Sequence, residues 1–485
     1  MSEAFASHAA DRRELTAAQR NAVAELLRVS PVADELGRRF ARAGHELHLV
    51  GGSVRDALLG RLGEDLDFCT DAHPDQTIKI VRGWAESIWE TGREFGTIGC
   101  QRDGLRLEIT TFRAEAYDQV SRNPIVVYGT CLVDDLKRRD FTVNAMAVSV
   151  PEHRFTDPYG GLADLAAKVI RTPGTPRESF GDDPLRMLRA ARFAAQLRFT
   201  VHPDVREAMT RMAADLDRIT AERIRDEFTK LLCGADPITG LRLLVDTGLA
   251  ERFLPELTGL KLEIDEHAQH KDVYEHTLTV VSNAMSMEDG CDFVLRMAAL
   301  MHDVGKPATK AVGPDGRVSF HHHEVVGARL TKARMKALRY PKDVTAQVVK
   351  LVGLHLRFYG YGRGEWTDSA VRRYVTDAGD LLSRLHKLTR SDCTTRNRRK
   401  AAQLATDYDA LEERIARIAA EEDLARVRPD LDGNAIMELL GVPPGPVVGK
   451  AWQHLKELRL ERGPLERDEA EAELLRWARE QRVIS

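Results

Sequence analysis

Residues 50–67 read VGGSVRDALLGRLGEDLD. The apolar run LHLV at 47–50 ends in Gly51 and Gly52, and a helix-like segment follows. Glycines at such a turn let the backbone approach a bound group closely, and the exposed N–H groups of a helix start attract phosphate. Arg55 lies within one turn of that start and can hold a triphosphate oxygen. Asp65 and Asp67 close the stretch as residues i and i+2 of a strand, so their carboxylates share one face. Two such carboxylates repel unless a cation sits between them, and magnesium, held by one or two carboxylates plus substrate phosphates, meets that need. Taken alone, DLD is more simply two solvated acids on an exposed strand.

A third acid shifts the balance. In LRLEITTF (105–112), Leu105, Leu107 and Ile109 alternate with Arg106, Glu108 and Thr110, which puts Glu108 on the polar face of another apolar strand. If the two strands are neighbours, Asp65, Asp67 and Glu108 converge. Three carboxylates with two metal ions make a phosphoryl-transfer site: one ion lowers the pKa of the attacking hydroxyl and the other neutralises the leaving pyrophosphate.

Around this stretch, short apolar runs (LDFC, TIGC, NAMAVSV) separated by turn residues mark a mixed α/β region over about 47–150. Before it, residues 14–46 have helical spacing at Val23, Leu26 and Leu27. After about 175 the pattern is almost wholly helical, with Pro/Gly joints near 173–176, 234–240, 305–316, 360–364 and 441–449. The chain is 485 residues long, which predicts two to four domains. Its 43% hydrophobic and 30% charged residues are those of a globular protein. No apolar run is long enough to span a bilayer, and MSEAFASHAADRREL lacks a basic segment followed by an apolar one, so the expected location is the cytoplasm. Six scattered cysteines form no CxxC pair, and buried free thiols are the expectation. A net charge of −4 weighs mildly against nucleic-acid binding, although a local basic face can still carry it.

Together, GGSVRDALLG…EDLD, LEITTFR, RRDFTVNAMA, DDPLRMLRAARF and ERIRDEFTKLL, in this order over roughly residues 47–235, resemble the CCA tRNA nucleotidyltransferases of bacterial and eukaryotic type, and the related bacterial poly(A) polymerases. The resemblance implies an α+β fold: a small mixed-sheet head followed by an all-α neck, HD domain and tail. The expected divisions are a helical leader (1–46), head (47–172), neck (173–262), HD domain (263–400) and tail (401–485). It implies template-independent addition of CCA to the 3′ end of tRNA from CTP and ATP, with no DNA and no membrane partner. No oligomeric state follows.

Residue by residue, the resemblance assigns metal binding to Asp65 and Asp67, the third carboxylate to Glu108, and phosphate contacts to Gly52 and Arg55. Arg139 and Asp140 would contact the incoming nucleotide and its ribose, and Asn144 would brace their loop. Asp183 and Arg186 would read the base, with Arg189 and Arg192 on the nucleotide and phosphate side. Cytosine and adenine share an exocyclic amine beside an unprotonated ring nitrogen, so a carboxylate that accepts and a guanidinium that donates suit both. Guanine and uracil reverse the pattern and would leave buried groups mispaired. Without the flanking motifs, the arginines at every third position read as a solvated helix face. The usual Glu-Asp before this helix is here Asp182-Asp183. The segment 113–140 is expected to be mobile and to let the pocket enlarge from C to A addition.

Downstream, His276, His302-Asp303 and Asp392 resemble the HD superfamily of metal-dependent phosphohydrolases. That resemblance implies one divalent ion on these four residues, with His323 and His355 available to a second. Imidazole with carboxylate suits manganese, nickel, iron or zinc. A satisfied core histidine is the plainer reading of any one of them. RNRRK (396–400) and RLERG (459–463) are candidate RNA contacts, against the commoner reading of solvated helix faces. The competing functions are a poly(A) polymerase or an enzyme adding only CC or only A, and, from another class, an HD phosphohydrolase with a nucleotide- or RNA-binding head.

Overall fold

The computed structural model describes residues 31–61, 63, 65–114, 127–129, 131–262, 273–314, 318–358, 361, 366–395, 397–421 and 428–484. The periodicity at Val23, Leu26 and Leu27, the core of the 113–140 segment, most of the 360–364 joint and Arg396 lie outside them. The chain forms two compact units, Met1–Phe253 and Leu254–Ser485.

In the first unit, a helix α1 (Pro31–Arg42) precedes a seven-stranded sheet. The strands are β1 (Leu47–Val50), β2 (Asp65–Thr70), β3 (Ser87–Trp89), β4 (Thr97–Arg102), β5 (Leu105–Thr111), β8 (Ala147–Ser149) and β9 (Phe155–Thr156), in the order β3-β4-β5-β2-β1-β8-β9. A separate pair, β6 (Arg113–Ala114) and β7 (Val127–Tyr128), follows β5. Within the seven-stranded sheet every pairing is antiparallel except β2 with β5. The alternation in β5 sends Leu107 and Ile109 into the core and leaves Glu108 outside, as a strand period of two requires. Under the sheet, Val50, Cys69, Phe112, Leu136, Ala145 and Ala147 pack together, joining strand ends to the helix α3 (Leu132–Lys137).

Helices α4 (Pro176–Asp182), α5 (Leu185–Leu197), α6 (Ala221–Leu232) and α7 (Pro237–Asp246) complete this unit. Thr175 caps α4 by accepting from Glu178 N, and Pro176 enters at the first turn, where its missing N–H costs nothing. Helix α5 is no solvated face: Met187, Leu188, Ala190, Ala191, Phe193, Ala194 and Leu197 are all buried against α6 and α7. Each large one contributes about 1.5–3 kcal/mol. Arg186 and Arg189 lie half-buried at its edge.

Among the described residues the only strands of the second unit are the two-residue Ala311–Val312 and Val318–Ser319, and its regular structure is otherwise helical. Its main helices are α8 (Val273–Met285), α9 (Phe293–Met301), α10 (His323–Ala337), α11 (Lys342–Leu354), α12 (Leu382–Asp392) and α13 (Arg398–Glu421). Three more, α14 (Gly433–Leu440), α15 (Pro446–Arg462) and α16 (Arg467–Glu480), close over Leu431, Ile436, Leu440, Leu455 and Leu474. Cys69 and Cys100 are buried free thiols, whereas Cys131 is free and exposed. Among the described residues no helix is long and apolar enough to cross a membrane.

Candidate active site and metal cluster

The parallel pairing of β2 with β5 sets Asp67 directly beside Glu108 and Asp65 beside Arg106. The three acids thus occupy adjacent strands at the sheet surface, where sequence alone could only assume it. Asp67 is the most enclosed. Burial, then the Glu108 carboxylate, pushes its pKa up to about 6, against the opposing pull of Arg139. An all-oxygen donor set short of positive charge fits a hard divalent cation.

Gly51 turns the chain from β1 into helix α2 (Gly52–Leu58) with φ +69, a conformation costly for a side chain. A Cβ there would sit 2.9 Å from Arg139 Nη1 and 3.8 Å from Asp67 Oδ2, so the missing side chain is what lets Arg139 lie across the turn beside the carboxylate. Ser53 Oγ accepts from Asp67 N (3.0 Å), tying α2 to the strand.

A second set of bonds runs through the RRDFT segment. Arg55 Nη1 donates to Asn144 Oδ1 (2.6 Å), and Asn144 Nδ2 donates to Asp140 Oδ1 (2.9 Å). Asp140 Oδ2 accepts from Arg189 Nε (2.8 Å) and Nη2 (2.5 Å). Burial opposes ionisation of Asp140, but Arg189 and Asn144 outweigh it and hold the carboxyl below its usual range. Glu227 on α6, buried, pairs with Arg189 (3.3 Å) and with Arg192 (2.8 Å). Asp183 Oδ1 accepts from Leu185 N (3.1 Å) and Oδ2 from Arg223 (2.6 Å). Arg186 donates to Ser179 Oγ (2.9 Å), to Ser179 O (3.2 Å) and to Arg138 O (2.6 Å).

Asp135 accepts from Arg138 and from Arg139, so three residues without an assigned role belong to the same networks: Asp135, Glu227 and Arg223. Their sequence signals were available. Asp135 stands three and four residues before Arg138 and Arg139, a helical pairing distance, and the other two lie in ERIRDEFTKLL.

In the second unit, five separate segments bring together four histidines and two aspartates. His276 Nε2 lies 2.9 Å from Asp392 Oδ1 and 3.5 Å from Asp303 Oδ2. His302 Nε2 lies 3.1 Å from Asp303 Oδ2 and 3.5 Å from Asp392 Oδ1, and His323 Nε2 lies 3.2 Å from Asp303 Oδ1. Two triads, His276/His302/Asp303 and Asp303/His323/His355, share Asp303. The Nδ1 atoms of His302, His323 and His355 each meet a backbone carbonyl, of Ala299, Phe320 and Val352, at 2.7–2.8 Å. This turns each Nε2 inward, the orientation a metal-ligating imidazole takes. The Nε2 of His355 has no hydrogen-bond partner although buried. Burial lowers the His302 pKa, but Asp303 and Asp392 override it and raise it to about 10, a pull that marks the cluster as favouring positive charge. The donor set fits a transition-metal ion. Lys306, outside the expected set, reaches Asp303 Oδ2 at 2.9 Å. Gly305 allows this packing: a Cβ on it would lie 2.1 Å from His323 O.

Three family models match in succession: the poly A polymerase head domain over residues 47–171, the probable RNA and SrmB-binding site of polymerase A over 198–260, and the HD domain over 273–419. The chain is 35% identical over 444 residues to the A-adding tRNA nucleotidyltransferase of Deinococcus radiodurans, covering 89% of this chain and 95% of that one. It is 41% identical over 225 residues to the CCA-adding enzyme of Levilactobacillus brevis, a match spanning 46% of this chain and 55% of that one. In fold it is similar to the Bacillus stearothermophilus CCA-adding enzyme in complex with CTP (TM-score 0.68, 23% identity, 93% of this chain and 98% of that one). The Thermotoga maritima CCA-adding enzyme complexed with tRNA gives 0.59 at 17% identity, over 94% and 98%. With a relative at 35% identity matched across 95% of its length, this chain is a nucleotidyltransferase of the tRNA nucleotidyltransferase/poly(A) polymerase family.

Proposed function

We propose that this enzyme builds the CCA end of tRNA, adding two C residues and one A to the 3′ end from CTP and ATP and releasing pyrophosphate. The observation that carries the reading is the register of β2 and β5, which lines up Asp67 with Glu108 beside the Gly51 turn. Asp65, Asp67 and Glu108 would hold Mg2+, which when bound neutralises phosphate charge and acidifies the attacking 3′-hydroxyl. Gly52 and Arg55 receive the triphosphate, and Arg139 faces it from across Gly51. Asp140 holds the ribose side, with Asn144 and Arg189 fixing its orientation. Asp183 and Arg186 select C and A by accepting from the amine and donating to the ring nitrogen. Arg192, paired with Glu227, lies beside Arg189 on the nucleotide and phosphate side. The five-part division into leader, head, neck, HD domain and tail belongs to this proposal, as does a cytoplasmic location, where tRNA is matured.

The second unit would carry a separate hydrolytic centre. His276, His302, Asp303 and Asp392 would hold one manganese, nickel, iron or zinc ion, and His323 and His355 could serve another. A 2′,3′-cyclic phosphate or phosphomonoester at a damaged RNA end is the substrate class proposed. If the head only bound RNA and this centre were the sole activity, Asp65→Ala would leave the chain's catalysis untouched.

A second product is favoured by one observation: the Deinococcus relative matched over 95% of its length is named A-adding. One experiment separates the two. Purified protein is given Mg2+ and tRNA ending at the discriminator base, or already ending in CC, with labelled CTP, ATP or both. Two C residues then one A, with growth stopping there, is the expected result. A single A on the CC-ended tRNA alone makes this an A-adding enzyme. An open-ended A tail makes it a poly(A) polymerase.

A further inference from the structure

We infer that Asp135 is a positioning residue that sets the metal side and the base-reading side of the nucleotide site together. The inference rests on the reading of Asp183 and Arg186 as the base-selecting pair.

Asp135 is fully buried on α3, and its two carboxylate oxygens divide the work. Oδ2 accepts from Arg139 Nη2 at 3.2 Å, and Arg139 is the guanidinium that lies across Gly51 beside Asp67. Oδ1 accepts from Arg138 Nε (3.1 Å) and Nη2 (2.8 Å), a two-point grip on the neighbouring arginine. The carbonyl of that same Arg138 receives Arg186 Nη2 at 2.6 Å. A third donor, Arg113 N at 3.3 Å, comes from β6, so the carboxylate is anchored to the strand that leaves the sheet after β5. Burial disfavours the charge on Asp135, but Arg139 and Arg138 overcome this and hold the carboxyl below its usual range.

The physical consequence is a shared constraint. Successive residues 138 and 139 point their side chains into one carboxylate. One of them thereby aims its guanidinium at the metal carboxylates, while the other offers its carbonyl to the base reader. Selection between C or A and U or G depends on holding Arg186 as a donor in one place, since a mispaired buried group is what rejects the wrong base. A guanidinium supported only by Ser179 could swing. Geometry errors of about 1 Å cost about a hundredfold in rate.

The test compares Asp135→Asn and Arg138→Met in the full chain, assaying CTP, ATP, UTP and GTP incorporation per folded molecule, with thermal melting run on each variant. Asp135→Asn keeps the shape and one acceptor but loses the charge. It should lower the rate for CTP and ATP by about a hundredfold and lower the preference for them over UTP and GTP by about tenfold or more. Arg138→Met leaves the Asp135–Arg139 pair in place. It should relax the preference by a similar factor while keeping most of the CTP rate. A residue that merely stabilised the unit would reduce all four nucleotides alike and leave the preference unchanged, and that result in both variants overturns the proposal. If Asp135→Asn does not fold, Arg138→Met decides alone. Arg186→Lys is assayed beside them. If it relaxes selection and the other two do not, only this inference fails; if it leaves selection intact, the base-reading assignment fails and takes this inference with it.

Discussion

At the scale of single residues, Asp67 is where local environment most alters chemistry. Its carboxyl, raised to about 6 by burial and Glu108, is protonated below that pH and ionised above it. If Asp67 holds Mg2+ as proposed, binding needs the ionised form, and a proton competes with the metal for it. At limiting Mg2+, the apparent Mg2+ affinity should fall by about tenfold for each pH unit below about 6, and activity measured from pH 7.5 down to pH 5 at two Mg2+ concentrations checks this. Saturating Mg2+ should restore activity on the acid side; an acid limb indifferent to Mg2+ would assign it to another group. Asp65→Ala should abolish CTP and ATP incorporation with an unchanged melting temperature, since Asp65 is exposed and supports no packing. The candidate acids were legible in sequence because a strand's period of two puts Asp65 with Asp67 and turns Glu108 away from Leu107 and Ile109. For Asp135 and Glu227 the sequence offered only the spacing to Arg138 and Arg139 and the ERIRDEFTKLL stretch, and it left their roles open, because an acid in a charge-rich helix looks the same whether it faces water or an arginine.

At the scale of elements, α5 and α6 show a buried ion network where a solvated helix face was the alternative reading of the arginine spacing. Glu227 sits between Arg189 and Arg192, and burial, followed by the charge of Arg189, lowers the Arg192 pKa to about 10 despite that carboxylate. Removing the Glu227 charge leaves Arg192 without a carboxylate partner and Arg189 with Asp140 alone. Glu227→Gln should therefore destabilise the first unit by about 3 kcal/mol, read by urea unfolding, and should weaken Arg189's hold on Asp140. The i, i+3 spacing of Arg189 and Arg192 lets both reach one carboxylate. What spacing could not supply was the partner, since Glu227 lies 35 or more residues downstream and reaches them only because α6 packs on α5.

For the molecule as a whole, the two units carry two candidate metal centres built from disjoint residues. Metal analysis of purified variants should therefore separate them. His302→Ala should lower tightly bound manganese, nickel, iron or zinc while leaving CTP and ATP incorporation intact, and Asp65→Ala should do the reverse; a joint loss in either variant would contradict independence. By itself the sequence determined the α+β head, the helical remainder, the family, and the candidate residues on each strand and helix, because hydrophobic periodicity and residue order are local properties of the chain. Tertiary structure alone decided which of those residues meet. The parallel register that aligns Asp67 with Glu108, the guanidinium that crosses Gly51, and the single Asp303 shared by two histidine triads all join segments far apart in the chain. Such contacts are set by packing of elements against one another, which no local pattern encodes.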